Sequence, residues 1–271
     1  MTTSEQGGKM PISNAPTGAR IITQLRNFDD WKQLLDGCVD AICLKEFASP
    51  RECAELLTFV IHHPRSKNYT TAAGIVRLGS SFSDVRKTGK IQEEYSKSDI
   101  LEEASMVNPV IPRLFEIIST SWPFGLETFT YRGLPLHRSI ARRMVGGGAE
   151  PHDDNIAKEL ADDLNASTVR AQLGLNLYIE VPINGGQLEG WHRRLTQSEY
   201  DSLRNQEPKL NYGVRRDAIG ACDWMIKPTL GELIIFQNSE LHAVCKSTES
   251  RATWGFFLGY RGDNYPLLVW S

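Results

Sequence analysis

The chain has 271 residues, of which 41% are hydrophobic and 23% charged, with a formal net charge of −3. That is enough apolar material for a sizeable core, which excludes a minimal module stapled by disulfides or metals. The slightly acidic balance lacks the basic footprint of a nucleic-acid binder, and no run approaches the roughly 18 apolar residues of a membrane span.

Residues 1–20, MTTSEQGGKMPISNAPTGAR, are rich in Gly, Ser, Thr and Pro without apolar periodicity, which predicts a disordered lead. They contain no apolar h-region of a secretory signal, so a cytoplasmic protein is expected. Residues 21–271 read as one domain, a helical flank over about 21–125 followed by a β-rich core over about 126–271. Apolar residues recur at helical spacing over Phe28–Leu35 and over Pro50–His62. Ser49 is placed to be the second helix's N-cap, with Pro50 in the first turn and Cys53, Leu56, Leu57, Val60 and Ile61 on one face. Between the two helices, Ala41–Leu44 reads as a short strand. Residues 64–100 are polar and punctuated by glycine, which predicts long loops with a strand, a usual place for substrate-facing elements. Helical spacing resumes over 99–120 through Ile100, Met106, Val110, Leu114, Ile117 and Ile118.

Strand-like pieces separated by Gly, Pro and Asn follow at Glu127–Tyr131, Ser139–Val145, Ala171–Val181, Gly186–Trp191, Glu232–Phe236, Ala252–Tyr260 and Leu267–Trp270. Within Ala171–Val181, Leu173, Leu175, Leu177 and Ile179 share one face, while Gln172, Gly174, Asn176 and Tyr178 share the other. The polar face either lines a ligand-holding barrel or meets solvent. Asn184-Gly185-Gly186 predicts the turn of a hairpin joining that strand to Gly186–Trp191. Cys38, Cys43, Cys53, Cys222 and Cys245 form no CxxC pair, which fits a reducing compartment better than a disulfide framework or a zinc ribbon.

Glu150-Pro151-His152-Asp153-Asp154-Asn155 puts an imidazole and a carboxylate two residues apart, after a strand and the Gly146-Gly147-Gly148 bend. In extended backbone residues i and i+2 point the same way, so His152 and Asp154 can face one metal, while Asp153, the adjacent alternative ligand, would project to the opposite side. His242, just past the strand Glu232–Phe236, is the candidate third ligand. Two histidines and a carboxylate on one face of an octahedron leave three positions open, the arrangement of non-haem iron(II) oxygenases. A lone His-x-Asp pair usually marks a surface turn. Here Arg251 follows nine residues after His242, with Thr253 beyond it. A guanidinium with a neighbouring hydroxyl is a natural bidentate anchor for a carboxylate.

The order His-x-Asp, a His about ninety residues later, then Arg-x-Thr resembles the iron(II)/2-oxoglutarate oxygenases of the double-stranded β-helix fold, over about residues 138–271. More narrowly, VPINGGQL, KPTLGELIIFQNSELHAV, SRATWGFFLGY and VWS are similar to the aliphatic halogenases of indole-alkaloid pathways and to relatives that hydroxylate free or N-substituted amino acids. The resemblance implies a mainly β, jelly-roll, cupin-like core with flanking helices. It implies iron(II) on His152, Asp154 and His242, and 2-oxoglutarate as cosubstrate on Arg251 and Thr253. O2 is the oxidant and ascorbate a candidate reductant. Oxidative decarboxylation to succinate and CO2 is then coupled to hydroxylation of an unactivated aliphatic C–H bond. In the halogenases of this group glycine replaces the carboxylate and admits chloride, so Asp154 favours hydroxylation.

Asn176 and Trp191 are candidates to complete the cosubstrate pocket, although Trp191 also reads as an ordinary strand residue. For a small-molecule substrate the candidates are Arg77, Phe82, Arg86, Arg142, Arg143 and Trp224. The arginines would meet an anionic group and the aromatics would form pocket walls; core packing is the plain alternative for the latter. Alternative outcomes are action on an alkaloid or other natural product, desaturation or halogenation, or a cupin-like metal binder without turnover.

Overall fold

The computed structural model describes residues 18–69, 74–204 and 213–271, so most of the expected disordered lead lies outside the described residues. In chain order the first half contains β1 (Ile21–Ile22), α1 (Phe28–Leu35), β2 (Ala41–Leu44), α2 (Pro50–His62), β3 (Lys67–Asn68), β4 (Ile75–Gly79), α3 (Phe82–Thr88), α4 (Ile91–Tyr95), α5 (Ile100–Val107) and α6 (Val110–Ser121). There follow β5 (Leu126–Thr128), β6 (Thr130–Tyr131), β7 (Leu134–Pro135), β8 (Ile140–His152), α7 (Ile156–Glu159), α8 (Leu164–Ser167), β9 (Ala171–Glu180) and β10 (Leu188–Gly190). The last elements are α9 (Gln197–Leu203), α10 (Arg216–Ile219), β11 (Trp224–Ile226), β12 (Leu233–Gln237), β13 (His242–Tyr260) and β14 (Leu267–Trp270). Among the described residues no helix is long and apolar enough to cross a membrane.

Twelve strands form one sheet in the order β1-β2-β12-β9-β13-β8-β4-β3, with β10 and β11, and β14 and β5, branching from β13. The long β13 is the seam: it pairs antiparallel with β10, β8, β9 and β14 along its length.

The alternation in β9 decides the layers. Leu173, Leu175, Leu177 and Ile179 join Leu233 and Ile235 of β12 in the main core, against Trp31, Leu34, Leu56, Val60, Ile111 and Leu114 from the helices. Each such buried side chain contributes about 1.5–3 kcal/mol. The polar face of β9, with Gly174 and Asn176, lines a cavity, so it faces a ligand-sized space. Leu175→Ala is expected to cost about 2–5 kcal/mol in equilibrium urea unfolding, because it empties a packed site. A loss below about 0.5 kcal/mol would show that this face is not the helix-packing face.

Helix α2 starts where its caps dictate: Ser49 and Glu52 form a reciprocal capping box, and Pro50 sits at the first helical position. The helix expected over 99–120 is broken into α5 and α6. Asn108, preceding Pro109, is extended, and its side-chain oxygen accepts from the Val110 N–H at 3.1 Å. Residues 82–95, expected as loop, fold into α3 and α4, with Phe82, Val85 and Tyr95 buried in a second core beside Phe129 and Trp270.

Two strand expectations need correction. β8 does not end at Val145 in a flexible bend; it runs on to His152 because β13 supplies partners throughout, with register shifts absorbing the extra residues. Gly146 and Gly147 take φ of +74° and +79° there, and a Cβ at Gly148 would sit 2.5 Å from the Val244 carbonyl oxygen, so the glycines serve the bulged ladder. β9 and β10 also do not form a hairpin. β10 pairs with β11 and with the start of β13, and the Asn184-Gly185-Gly186 turn carries the chain away from β9 to the far end of the same β13 edge.

Candidate metal and carboxylate site

His152 ends β8 directly opposite His242 at the start of β13, so both side chains leave the ladder on the same face. Their ring centroids are 4.4 Å apart. Asp154 is fixed two residues on by its amide N–H, which donates to the Asn238 carbonyl at 2.8 Å. The Asn238 side-chain amide donates to Asp154 Oδ2 at 3.3 Å, and His242 Nε2 lies 3.6 Å from the same oxygen. One donor atom from each of His152, Asp154 and His242 lies within 4.8 Å of the others. Asp153 turns away, as the two-residue period requires, and binds Lys158 Nζ at 2.7 Å.

The tautomers follow from the backbone. His152 Nδ1 is 2.7 Å from the Glu150 carbonyl and His242 Nδ1 is 3.0 Å from the Glu240 carbonyl. A carbonyl only accepts, so each Nδ1 carries the proton and each Nε2 presents its lone pair, which is how second partners orient metal-ligating histidines. Burial, reinforced by the neighbouring His242, lowers the pKa of His152 and keeps it neutral. Burial opposes ionisation of Asp154, but the His242 and His152 rings and the Arg142 guanidinium outweigh it and hold the carboxyl below its ordinary range. Two imidazoles and one carboxylate therefore converge as a candidate donor set for a divalent cation.

This triad opens into a cavity of about 260 Å3 that also receives Arg251, Thr253, Asn176 and Arg142. Arg251 Nη2 donates to the Tyr178 hydroxyl at 3.2 Å, and its guanidinium lies 4.9 Å from the Tyr178 ring centroid. Its Nε is buried without a hydrogen-bond partner, and the guanidinium has no carboxylate partner among the described residues. A half-buried guanidinium without a counter-ion among the described residues is able to receive an anion from the cavity.

The remaining sequence candidates lie elsewhere, for reasons of strand parity and local pairing. Trp191 packs with Leu195, Val214 and Leu241 and donates from Nε1 to the Gly220 carbonyl at 3.3 Å; it does not line this cavity. Gly190, not Trp191, shares a face with His242. Trp224 covers Gly190 behind Phe236, with ring centroids 6.3 Å apart, and does not line the cavity. Phe82 is buried against Tyr131 and Tyr95 at 5.2 and 6.3 Å. Arg77 is buried beside Asp84 at 3.3 Å, and Arg86 donates to the Glu159 carbonyl at 2.8 Å, so neither reaches the cavity. Arg143, one residue from Arg142, points to the other face and binds Glu180 at 2.7 and 3.0 Å. Sequence reasoning missed Asn238, Phe236, Tyr178 as the support of Arg251, and Tyr69. The alternation through Phe236 and Asn238 was the available signal, since it continues the inward face of β12.

No family model matches the sequence. The solved structure of an N-substituted L-amino acid dioxygenase from Burkholderia ambifaria, in complex with alpha-KG, superposes with a TM-score of 0.55 at 18% identity, covering 88% of this chain and 89% of that one. HygX from Streptomyces hygroscopicus, with nickel and 2-oxoglutarate bound, gives a TM-score of 0.51 at 10% identity, covering 84% and 86%. The chain therefore has the double-stranded β-helix fold of 2-oxoglutarate oxygenases, as its motif order implies. In sequence it is similar to the L-gamma-glutamyl-L-propargylglycine hydroxylase of Streptantibioticus cattleyicolor, 23% identical over 159 residues. That match covers 58% of this chain and 56% of the hydroxylase, so the chain spans little more than half the length of this curated relative.

Proposed function

We propose that this protein is an iron(II)- and 2-oxoglutarate-dependent oxygenase that hydroxylates an aliphatic C–H bond of an amino acid or amino-acid derivative. The observation that carries the reading is one cavity holding both the His152–Asp154–His242 donor set and the carboxylate-free Arg251. Similarity to two proteins, an N-substituted L-amino acid dioxygenase and a γ-glutamyl-propargylglycine hydroxylase, supports amino-acid chemistry.

His152, Asp154 and His242 would hold the iron, and Arg251 with Thr253 would hold the distal carboxylate of 2-oxoglutarate. Bound iron with 2-oxoglutarate and O2 supplies the oxidising equivalents for C–H cleavage and oxygen insertion. The chain's own residues orient and exclude. The Glu150 and Glu240 carbonyls fix the two imidazoles, and Asn238 holds the Asp154 carboxylate in place. Tyr178 fixes the Arg251 plane, and Phe236 and Phe257 provide apolar walls that would limit water around the reacting carbon. With iron bound, Asp154 would take the ligand position that a halide would need, which favours hydroxylation.

Succinate formation is the test. It is expected to require Fe(II) and 2-oxoglutarate, with ascorbate as reductant, and to rise with an accepted amino-acid derivative, which gains one oxygen atom. Purified protein that neither binds 2-oxoglutarate in calorimetry nor forms succinate would overturn the oxygenase reading and leave a metal-binding barrel.

A further inference from the structure

The cavity contains a second guanidinium that the metal and 2-oxoglutarate roles leave over. Arg142 stands opposite Thr253 on the β8–β13 ladder, and the next inward pair is Met144 with Arg251. Both guanidiniums thus leave the same face, one rung apart. Arg142 is braced: its Nε donates to the Tyr69 hydroxyl at 2.7 Å, and its guanidinium lies 5.8 Å from the Phe257 ring centroid. Among the described residues no carboxylate forms a salt bridge with it. It is close enough to the triad for its charge to act on Asp154.

The other charges around the cavity sharpen the chemistry. Lys87 adds a cation at the exposed rim. Asp84 also lines the wall, but its carboxylate is buried 3.3 Å from Arg77, and Asp154 belongs to the metal face. A ligand beyond the metal therefore meets cations without a spare carboxylate among the described lining residues. An ammonium group there would lose its hydration without a counter-charge.

We propose that Arg142, positioned by Tyr69 and Phe257, binds the carboxylate of the substrate, and that the substrate is an acid whose nitrogen is uncharged, such as an N-acylated amino acid, rather than a free zwitterion. This rests on the oxygenase reading and narrows its substrate class. The two carboxylates in the cavity are then sorted by the ladder: 2-oxoglutarate on Arg251, substrate on Arg142.

The test is calorimetric titration of Zn(II)-loaded protein at saturating 2-oxoglutarate. The probes are N-acetyl-leucine, -valine, -methionine and -phenylalanine, their carboxamides, and the four free amino acids. At least one N-acetyl acid is expected to bind about 10-fold or more tighter than both its carboxamide and its free amino acid. Arg142→Met is expected to abolish that preference, and Arg142→Lys to retain part of it, while the 2-oxoglutarate Kd of each changes less than about 3-fold. Circular dichroism establishes that the variants are folded, and Tyr69→Phe, which loosens the brace, serves as a separate probe with a smaller loss. The proposal is overturned if no acid binds at about 10 mM, if carboxamides or free amino acids bind as well, or if the preference survives in Arg142→Met. If wild-type protein fails to bind 2-oxoglutarate, the oxygenase reading falls instead.

Discussion

His152→Ala and His242→Ala are each expected to lower divalent-metal affinity by at least about 100-fold, since even the loss of an outer partner of a metal ligand costs 10–100-fold. The remaining imidazole and Asp154 form only a two-point site. Metal content after dialysis and titration with Co(II) or Ni(II) measure the loss, with circular dichroism as the check on folding. The histidine pair closes the β8–β13 ladder rather than filling the core, so the fold is expected to persist. Metal affinity equal to wild type in either variant would remove that histidine from the site. Asn238→Ala is the subtler comparison: it leaves all three donors present and only frees the Asp154 carboxylate, so a smaller drop is expected.

Removing the Arg251 guanidinium by Arg251→Met is expected to weaken 2-oxoglutarate binding by about 1.5–3 kcal/mol, the worth of hydrogen bonds to a charged group, or roughly 10- to 150-fold in Kd. Calorimetry on the metal-loaded protein reads this directly, and metal affinity in the absence of 2-oxoglutarate should change little because Arg251 is not a donor. Arg251→Lys is expected to recover only part of the loss, since an ammonium cannot form the two parallel bonds of a guanidinium. A Kd within about 3-fold of wild type in Arg251→Met would move the 2-oxoglutarate anchor elsewhere, with Arg142 as the next candidate.

Much of this architecture is legible in the sequence where one local rule dominates. The capping box at Ser49 fixes the start of α2, and the two-residue alternation of β9 separates the helix-packing leucines from the cavity face. The candidate metal triad is legible because extended backbone puts His152 and Asp154 on one side and Asp153 on the other. What long-range pairing decides is not legible. Arg142 and Arg143 are indistinguishable as neighbours until β13 sets Arg142 opposite Thr253 and leaves Arg143 to Glu180. Trp191 and Trp224 look like pocket walls by residue type, but the pairing of Gly190 with His242 turns one away and lays the other over the glycine. Arg77 looks like a free surface cation; its partner Asp84 is seven residues on, and only the folding of α3 brings the two together out of water.

The glycine run in β8 gives this site a property of its own. Arg142 and Met144 lie before it, and His152 lies after it, on one continuous strand. A strand's side chains reverse with every single-residue slip, so the length of the run fixes how the two ends of the cavity face each other. Losing or gaining one residue there would turn the His152 end relative to the Arg142 and Met144 end, whose pairing with Thr253 and Arg251 is set further along β13. A one-residue change in the run would therefore turn His152 off the cavity face while Arg142 stays on it, so the number of residues between them keeps both on one face.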